Sequence, residues 1–377
     1  MLNLKRKIVF LSGTRADFGK IKALIQGVEN HTNFEPFIFV TGMHLMPEYG
    51  YTLIEVERCG FEHVTTFENH TDEATMDLTL AKTINGFSKY IKDINPDLIV
   101  VHGDRVEALA GAIVGSLNNV LVAHIEGGEI SGTIDELIRH SVSKLSHIHY
   151  TSNDKAKKRL IQMGELENSI FTIGSPDVDI MFSDYLPKLE EVLNYYEIPF
   201  KSYGLAMFHP VTTEIDTLEA EASQFVKGLL DSGLNYVVIY PNNDLGSKLI
   251  LKAYLKLNKN QRFRIFPSVR FEYFLTLLKN SQFIIGNSSA GVREAPYYGI
   301  PTINIGSRQR NRVSADSILN CNPSHKDILK TIKKVKALDP KKVESFGAGN
   351  SREMFIKSLE TDAIWSLNHQ KQFKDVF

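Results

Sequence analysis

The sequence predicts an α/β chain built as two doubly wound halves. Three observations predict it. Short apolar runs alternate with amphipathic stretches from the start of the chain. The runs end in polar, glycine-containing loops. The alternation pauses after Gly174-Ser175-Pro176 and restarts at Tyr203. Strands alternating with helices imply right-handed βαβ units and a mostly parallel sheet. A chain of 377 residues has room for two such domains.

In the first half, Lys7–Leu11, Pro36–Thr41, Asp97–His102, Val120–Ile125, His147–Ser152 and Phe171–Gly174 read as strands. Helices are expected over Gly19–Glu29, 105–117 and Asp135–Leu145. A helical, partly acidic stretch then runs to Ile198-Pro199. In the second half, Tyr203–Phe208, Tyr236–Tyr240, Arg262–Phe266, Phe283–Ile285 and Thr302–Ile305 read as strands. The expected organisation is a first domain over 1–175, a second over 176–350, and a C-terminal segment over 351–377. That segment reads as helical over about 352–367, carries the only tryptophan, Trp365, and is expected to pack back on the first domain.

Composition narrows the function. The net charge of −1 gives no electrostatic footprint for nucleic acid. An anionic ligand would need local clusters of Arg, Lys and backbone N–H. The two cysteines, Cys59 and Cys321, are too few for a disulfide framework or a zinc site and fit a reducing cytosol. Lys7–Leu11 is too short for a signal-peptide core, and no apolar run reaches transmembrane length. The expectation is a soluble cytoplasmic protein with no nucleic-acid or membrane partner.

Ligands in open α/β sheets bind beyond the carboxyl ends of the strands, so the loops there carry the chemistry. The most crowded is His124-Ile-Glu-Gly-Gly-Glu-Ile-Ser-Gly-Thr-Ile-Asp135, continuing to Arg139 and His140. Glu126, Glu129, Asp135, His124 and His140 gather around the Gly127-Gly128 break. Asp104 and Arg105 follow another strand; the same pair could equally form a helix cap or a structural ion pair. The loop Ser12–Lys20 places Arg15 and Lys20 around a turn at a helix start, where an anion is favoured. Its Gly13 and Gly19 have the wrong spacing for a P-loop or a dinucleotide fingerprint.

In the second half, His209 ends a strand before Pro210. Asn242 and Asn243 follow another strand and suit sugar or base contacts, or simply a turn. Ile285-Gly-Asn-Ser-Ser-Ala-Gly-Val-Arg-Glu-Ala-Pro296 ends a strand and is expected to open a helix. Its small residues, Ser288, Ser289 and Gly291, would let a diphosphate approach backbone N–H groups, and Glu294 could accept from ribose hydroxyls. Arg308, Arg310 and Arg312 lie downstream.

These motifs together resemble the hydrolysing UDP-N-acetylglucosamine 2-epimerases. The matching pieces are Gly13-Thr-Arg-Ala-Asp17, Thr41-Gly-Met-His44, His102-Gly-Asp-Arg105, His124 to Asp135 and Ile138-Arg-His140. In the second half they are His209-Pro-Val-Thr-Thr213, Pro241-Asn-Asn243, Gly286-Asn-Ser-Ser289, Gly291-Val-Arg-Glu294 and Gly306-Ser-Arg-Gln309. They occur in order over nearly the whole chain. The resemblance is nearest to bacterial enzymes that make N-acetylmannosamine for sialic acid. Relatives acting on UDP-N,N′-diacetylbacillosamine in legionaminic acid synthesis share the motifs. Non-hydrolysing relatives carry an Ala-Gly-type sequence in place of Gly127-Gly128 and a different pattern at Asp104-Arg105.

The resemblance implies a GT-B-like fold: two Rossmann-type domains with the substrate between them, the carboxylates in the first and the UDP site in the second. It implies a cofactor-free reaction in which the C2 proton and UDP leave to give 2-acetamidoglucal. Water then adds with inversion at C2. Asp104, Glu126 and Asp135 are the implied proton-transfer groups, oriented by Arg105 and His140. His209, Arg15, Ser288 and Ser289 would meet the diphosphate. Lys20, His44, Asn242, Asn243, Gly291, Glu294 and Arg308 complete the implied substrate contacts. A homodimer or homotetramer is expected. A GT-B glycosyltransferase is the main rival.

Overall fold

The computed structural model describes residues 5–71, 75–131, 133–184, 186–309 and 315–375. The chain divides into two compact units. Residues 1–129, 135–183 and 346–377 form the first, and 130–134 with 184–345 form the second. The segment 346–377 thus belongs to the first unit.

The first unit holds one parallel sheet of seven strands: β1 (Arg6–Ser12), β2 (Phe34–Val40), β3 (Val64–Thr66), β4 (Leu98–His102), β5 (Leu121–Ile125), β6 (Ile148–Thr151) and β7 (Ile170–Thr172). Their spatial order is β3-β2-β1-β4-β5-β6-β7. The second unit holds six: β8 (Gly204–Met207), β9 (Tyr236–Ile239), β10 (Phe263–Phe266), β11 (Phe283–Gly286), β12 (Thr302–Ile305) and β13 (Ile318–Cys321), in the order β10-β9-β8-β11-β12-β13. Both orders reverse direction beside the first strand of the unit. In doubly wound folds that reversal opens the crevice where ligands sit. In the first unit it lies between β1 and β4, and in the second between β8 and β11.

The central strands are apolar on both faces because helices cover both faces. Ile8, Val9 and Phe10 of β1 and Leu98, Ile99, Val100 and Val101 of β4 are all fully buried. The strands absent from the sequence reading, β3 and β13, are edge strands. β3 is three residues long and mostly exposed, and β13 exposes Asn320. Half-solvated edges lack the continuous apolar run that betrays a buried strand.

The expected helical stretch after residue 176 is two short helices, Pro176–Met181 in the first unit and Leu189–Tyr195 in the second. The single expected C-terminal helix is likewise two, Ser351–Leu359 and Asp362–Trp365. Phe355, Leu359 and Ile364 enter the core of the first unit, and the Arg6 guanidinium lies 4.0 Å from the Trp365 ring centre. The start of Ser351–Leu359 is capped from a distance. Asp179 accepts from the backbone N–H of Ser351 at 2.9 Å and of Arg352 at 2.8 Å, which satisfies two N-terminal donors. Among the described residues no helix is long and apolar enough to cross a membrane.

Candidate active site

In the first unit the chemistry gathers at the ends of β1, β4, β5 and β7. Glu126 follows β5 with φ +64°, a left-handed conformation that a side-chain-bearing residue rarely adopts. Its carboxylate is buried. The Ser175 hydroxyl donates to its Oε1. His102 Nε2 lies 3.3 Å from Oε2, and the Lys20 ammonium lies 3.9 Å from Oε1. Lys20 itself pairs with Asp177 at 2.9 Å. A buried charge is tolerable only when paired and hydrogen-bonded, and this network supplies both.

Asp104, two residues beyond β4, is held by Arg139 from the helix Ile134–Leu145. One guanidinium nitrogen of Arg139 donates to the Asp104 carboxylate. The other donates to the Glu126 carbonyl at 2.7 Å. Arg139 therefore ties the two acidic loops together. Asp135 lies four residues earlier, on the same face of that helix and half-buried.

His124 fixes the loop from below. Its Nε2 meets the Gly103 carbonyl at 2.8 Å and its Nδ1 meets Ser143 Oγ at 3.0 Å. A carbonyl only accepts, so Nε2 carries the proton and Nδ1 accepts from the Ser143 hydroxyl. Burial pushes the His124 pKa well below its ordinary value, which keeps the ring neutral. A Cβ on Gly127 would lie 2.8 Å from His124 Nδ1, so the glycine leaves room for this hydrogen bond.

Several of the expected site residues have partners within the protein. Arg105 Nε lies 3.4 Å from Glu107, and half-buried His140 has its Nε2 3.9 Å from Glu136. Arg139 holds the Asp104 carboxylate directly, a part the sequence did not assign to it. Lys20, expected at a diphosphate, is committed to the Asp177 and Glu126 pairs. His44 is fully buried and uses both ring nitrogens internally, with Ser12 at 3.0 Å and Thr52 at 2.8 Å.

The turn expected to hold a phosphate already holds an anion of its own. Asp17 closes a capping box with Thr14 and accepts from the backbone N–H of Gly13 and Thr14, each at 3.0 Å. Arg15 pairs with Glu55 at 3.3 Å.

In the second unit the loops after β8 and β11 meet at the reversal of strand order. Gly286 ends β11 with φ +134°, and a Cβ there would lie 1.8 Å from the Met207 carbonyl oxygen, so only glycine fits. The Asn287 side chain then bridges to His209. Its Oδ1 accepts from the His209 N–H at 2.6 Å and its Nδ2 donates to the His209 carbonyl at 2.8 Å. Gln309 Nε2 and Arg308 Nη1 donate to the Asn287 carbonyl at 2.8 and 3.3 Å. The backbone N–H of Asn242 donates to His209 Nδ1 at 3.0 Å. A small, partly open pocket lies beside His209, lined also by Phe208, Glu214, Asn287, Gly306 and Ser307.

The helix expected after Asn287 is a 3₁₀ turn, Ser289–Gly291, followed by a single α-turn, Ala295–Tyr298. Pro296 and Gly299 confine it. A short turn thus stands where the sequence led one to expect the start of a helix. Ser288 and Ser289 remain half-buried in the turn, and Ser288 Oγ accepts from the Ala290 N–H at 3.3 Å. Gly291 is packed on Thr302, whose hydroxyl donates to its carbonyl at 2.6 Å. Glu294 is buried, and Asn243 is half-buried in the turn after β9. Arg310 and Arg312 lie outside the described residues.

His102, Arg139 and Asn287 stood inside the sequence motifs without a role of their own, and Ser175 and Asp177 had no site role in the sequence. Ser175 and Asp177 lie beyond the carboxyl end of β7, so the strand-end rule that found Asp104 could also have found them. Among the described residues no group of three or more His, Cys, Asp or Glu side chains is placed to hold a metal ion.

Two doubly wound units in one chain, each with its polar loops at the reversal of strand order, define a protein of the GT-B-like α/β class. A family model described as UDP-N-acetylglucosamine 2-epimerase matches residues 26–360. The chain belongs to the UDP-N-acetylglucosamine 2-epimerase family. It is 47% identical to the UDP-N-acetylglucosamine 2-epimerase of Neisseria meningitidis serogroup B, over 98% of this chain and 99% of that one. It is 32% identical to the UDP-N,N′-diacetylbacillosamine 2-epimerase (hydrolyzing) of Legionella pneumophila, over 96% and 97%. The fold also matches that of the Methanocaldococcus jannaschii UDP-GlcNAc 2-epimerase, solved in complex with UDP-GlcNAc and UDP. The TM-score is 0.81, with 23% identity over 94% of this chain and 99% of that one; this likeness concerns the fold alone.

Proposed function

We propose that the protein is a hydrolysing UDP-N-acetylglucosamine 2-epimerase, converting UDP-N-acetylglucosamine and water to N-acetylmannosamine and UDP. The observation that carries this reading is the Glu126 network. A buried carboxylate in a left-handed backbone conformation meets Ser175, His102 and Lys20, and Arg139 links its loop to Asp104. Burial and strain of this kind are costly and are found where chemistry needs them.

In the first step the C2–H bond breaks, the proton passes to a carboxylate, and the C1–O bond to UDP breaks as the C1–C2 double bond forms. In the second, water adds its hydroxyl to C1, and a proton reaches C2 from the opposite face. Asp104, Glu126 and Asp135 share the removal and return of protons. His209, Ser288 and Ser289 are assigned to the departing diphosphate, where stabilising the leaving charge offsets the weak acidity of C2–H. Glu294, Asn242, Asn243 and Arg308 are assigned to the nucleotide.

The first unit thus carries the acid–base chemistry and the second the UDP. The hydrolysing assignment rests on the Gly127-Gly128 pair and on the 32% identity to a relative named as hydrolysing. Production of N-acetylmannosamine for sialic-acid-type sugars, in the cytoplasm, follows from the same reading. Glu126→Gln tests it: sugar release is abolished while UDP binding, followed by calorimetry, is retained. Near-normal turnover in that variant rejects the assignment.

A further inference from the structure

We infer that Asn287 is a positioning residue that fixes the backbone of His209 and so presents its ring to the Asn242 N–H that sets its tautomer. The inference deepens the proposed function, because it rests on His209 acting at the departing diphosphate. The Asn287 side chain meets the backbone of His209 twice, as acceptor from its N–H at 2.6 Å and as donor to its carbonyl at 2.8 Å. Only a side chain with a donor and an acceptor on one planar group makes both bonds. Asn287 is almost completely buried, and its own N–H donates to the Met207 carbonyl at 3.0 Å. Gln309 and Arg308 hold its carbonyl from the loop after β12. Loops from three strands thereby meet at one residue.

With the backbone of His209 held, its ring is read by a second contact. The Asn242 N–H can only donate, and it points at Nδ1 at 3.0 Å. Nδ1 therefore accepts, and the proton of the neutral ring sits on Nε2. The ring thus has a fixed N–H donor on the edge away from the β9 loop, the form needed to hydrogen-bond a phosphate oxygen as negative charge grows on it. Turning the ring over, or placing the proton on Nδ1, would set a hydrogen against the Asn242 N–H. Asn287 places the backbone, Asn242 sets the tautomer, and each depends on the other for geometry.

The test is the isosteric change Asn287→Asp, compared with His209→Ala and the wild-type enzyme. As a carboxylate, Asp faces the His209 carbonyl with an acceptor and loses one of the two bonds. The inference expects kcat to fall by roughly 100-fold with KM little changed, as for loss of alignment at a reacting group. It also expects the ¹⁵N resonances of His209 to leave the Nε2–H pattern for a mixture of tautomers, while circular dichroism and the melting transition show a folded protein. Wild-type kcat and an unchanged ¹⁵N pattern in Asn287→Asp, with His209→Ala inactive, would overturn the inference and leave the role of His209 standing. Wild-type kcat in His209→Ala would instead remove the role of His209, and the positioning claim with it.

Discussion

At the scale of single residues, the site depends on how buried charge is held. Lys20 and Asp177 form a close pair beside Glu126. Removing one partner of a buried pair leaves the other uncompensated, at a cost of about 3–5 kcal/mol. Lys20→Met is therefore expected to lower the urea midpoint of unfolding and to reduce kcat through Glu126. A variant with wild-type stability would show that the pair is not buried in solution. His124 gives a pH dependence of definite sign. Burial lowers its pKa well below the ordinary 6.5, as burial also lowers those of His44, His147 and His149. Above pH 6.5 these rings are neutral both folded and unfolded. Below it the unfolded chain takes up protons that the folded chain refuses, so stability is lost as pH falls. The melting temperature is expected to drop between about pH 7 and pH 5, and His124→Gln to flatten part of that drop. An unchanged slope in the variant would place the effect elsewhere.

At the scale of elements, strand ends decide the site. Gly286→Ala would force a methyl against the Met207 carbonyl and a strained φ. The expected cost is about 3 kcal/mol or more, read as a lower denaturation midpoint or as insoluble protein. The C-terminal tail is a second element with a definite role. Lys371 donates to the carbonyls of Ser143, Lys144 and Ser146 and pairs with buried Glu165 at 2.5 Å. Burial lowers the Lys371 pKa to about 8. Burial alone would raise that of Glu165, but the His149 hydrogen bond and the nearby lysines outweigh it and hold it at about 2. Deleting residues 368–377 should strip this cation from Glu165 and lower the melting temperature of the first unit.

What was legible in the sequence follows from the same physics. β1, β4, β5, β8 and β11 were readable because both faces are apolar, and Asp104, Glu126 and His209 because they stand where those runs stop. β3 and β13 were not, being exposed edges. Neither was the fate of His44 and Lys20, since a polar residue in a loop looks the same whether it meets a ligand or a buried partner. Arg139 and Asn287 act through contacts 35 and 78 residues away in sequence, which no local pattern encodes.

At the scale of the whole molecule, a net charge of −1 offers no long-range attraction for a UDP-sugar. Recognition must come from local donors, so UDP affinity is expected to depend only weakly on salt, as titration between low and high ionic strength would show. Assembly as a homodimer or homotetramer belongs to the proposed reading and is checked by sedimentation. The most direct measurement follows the reaction itself, by proton NMR in deuterated water, with UDP-N-acetylglucosamine and UDP-N,N′-diacetylbacillosamine offered separately. Free N-acetylmannosamine and UDP are expected from the first substrate, with deuterium at C2 and 2-acetamidoglucal as the species between. Accumulation of UDP-N-acetylmannosamine without free sugar, or turnover of the diacetylbacillosamine nucleotide alone, would contradict the proposed function.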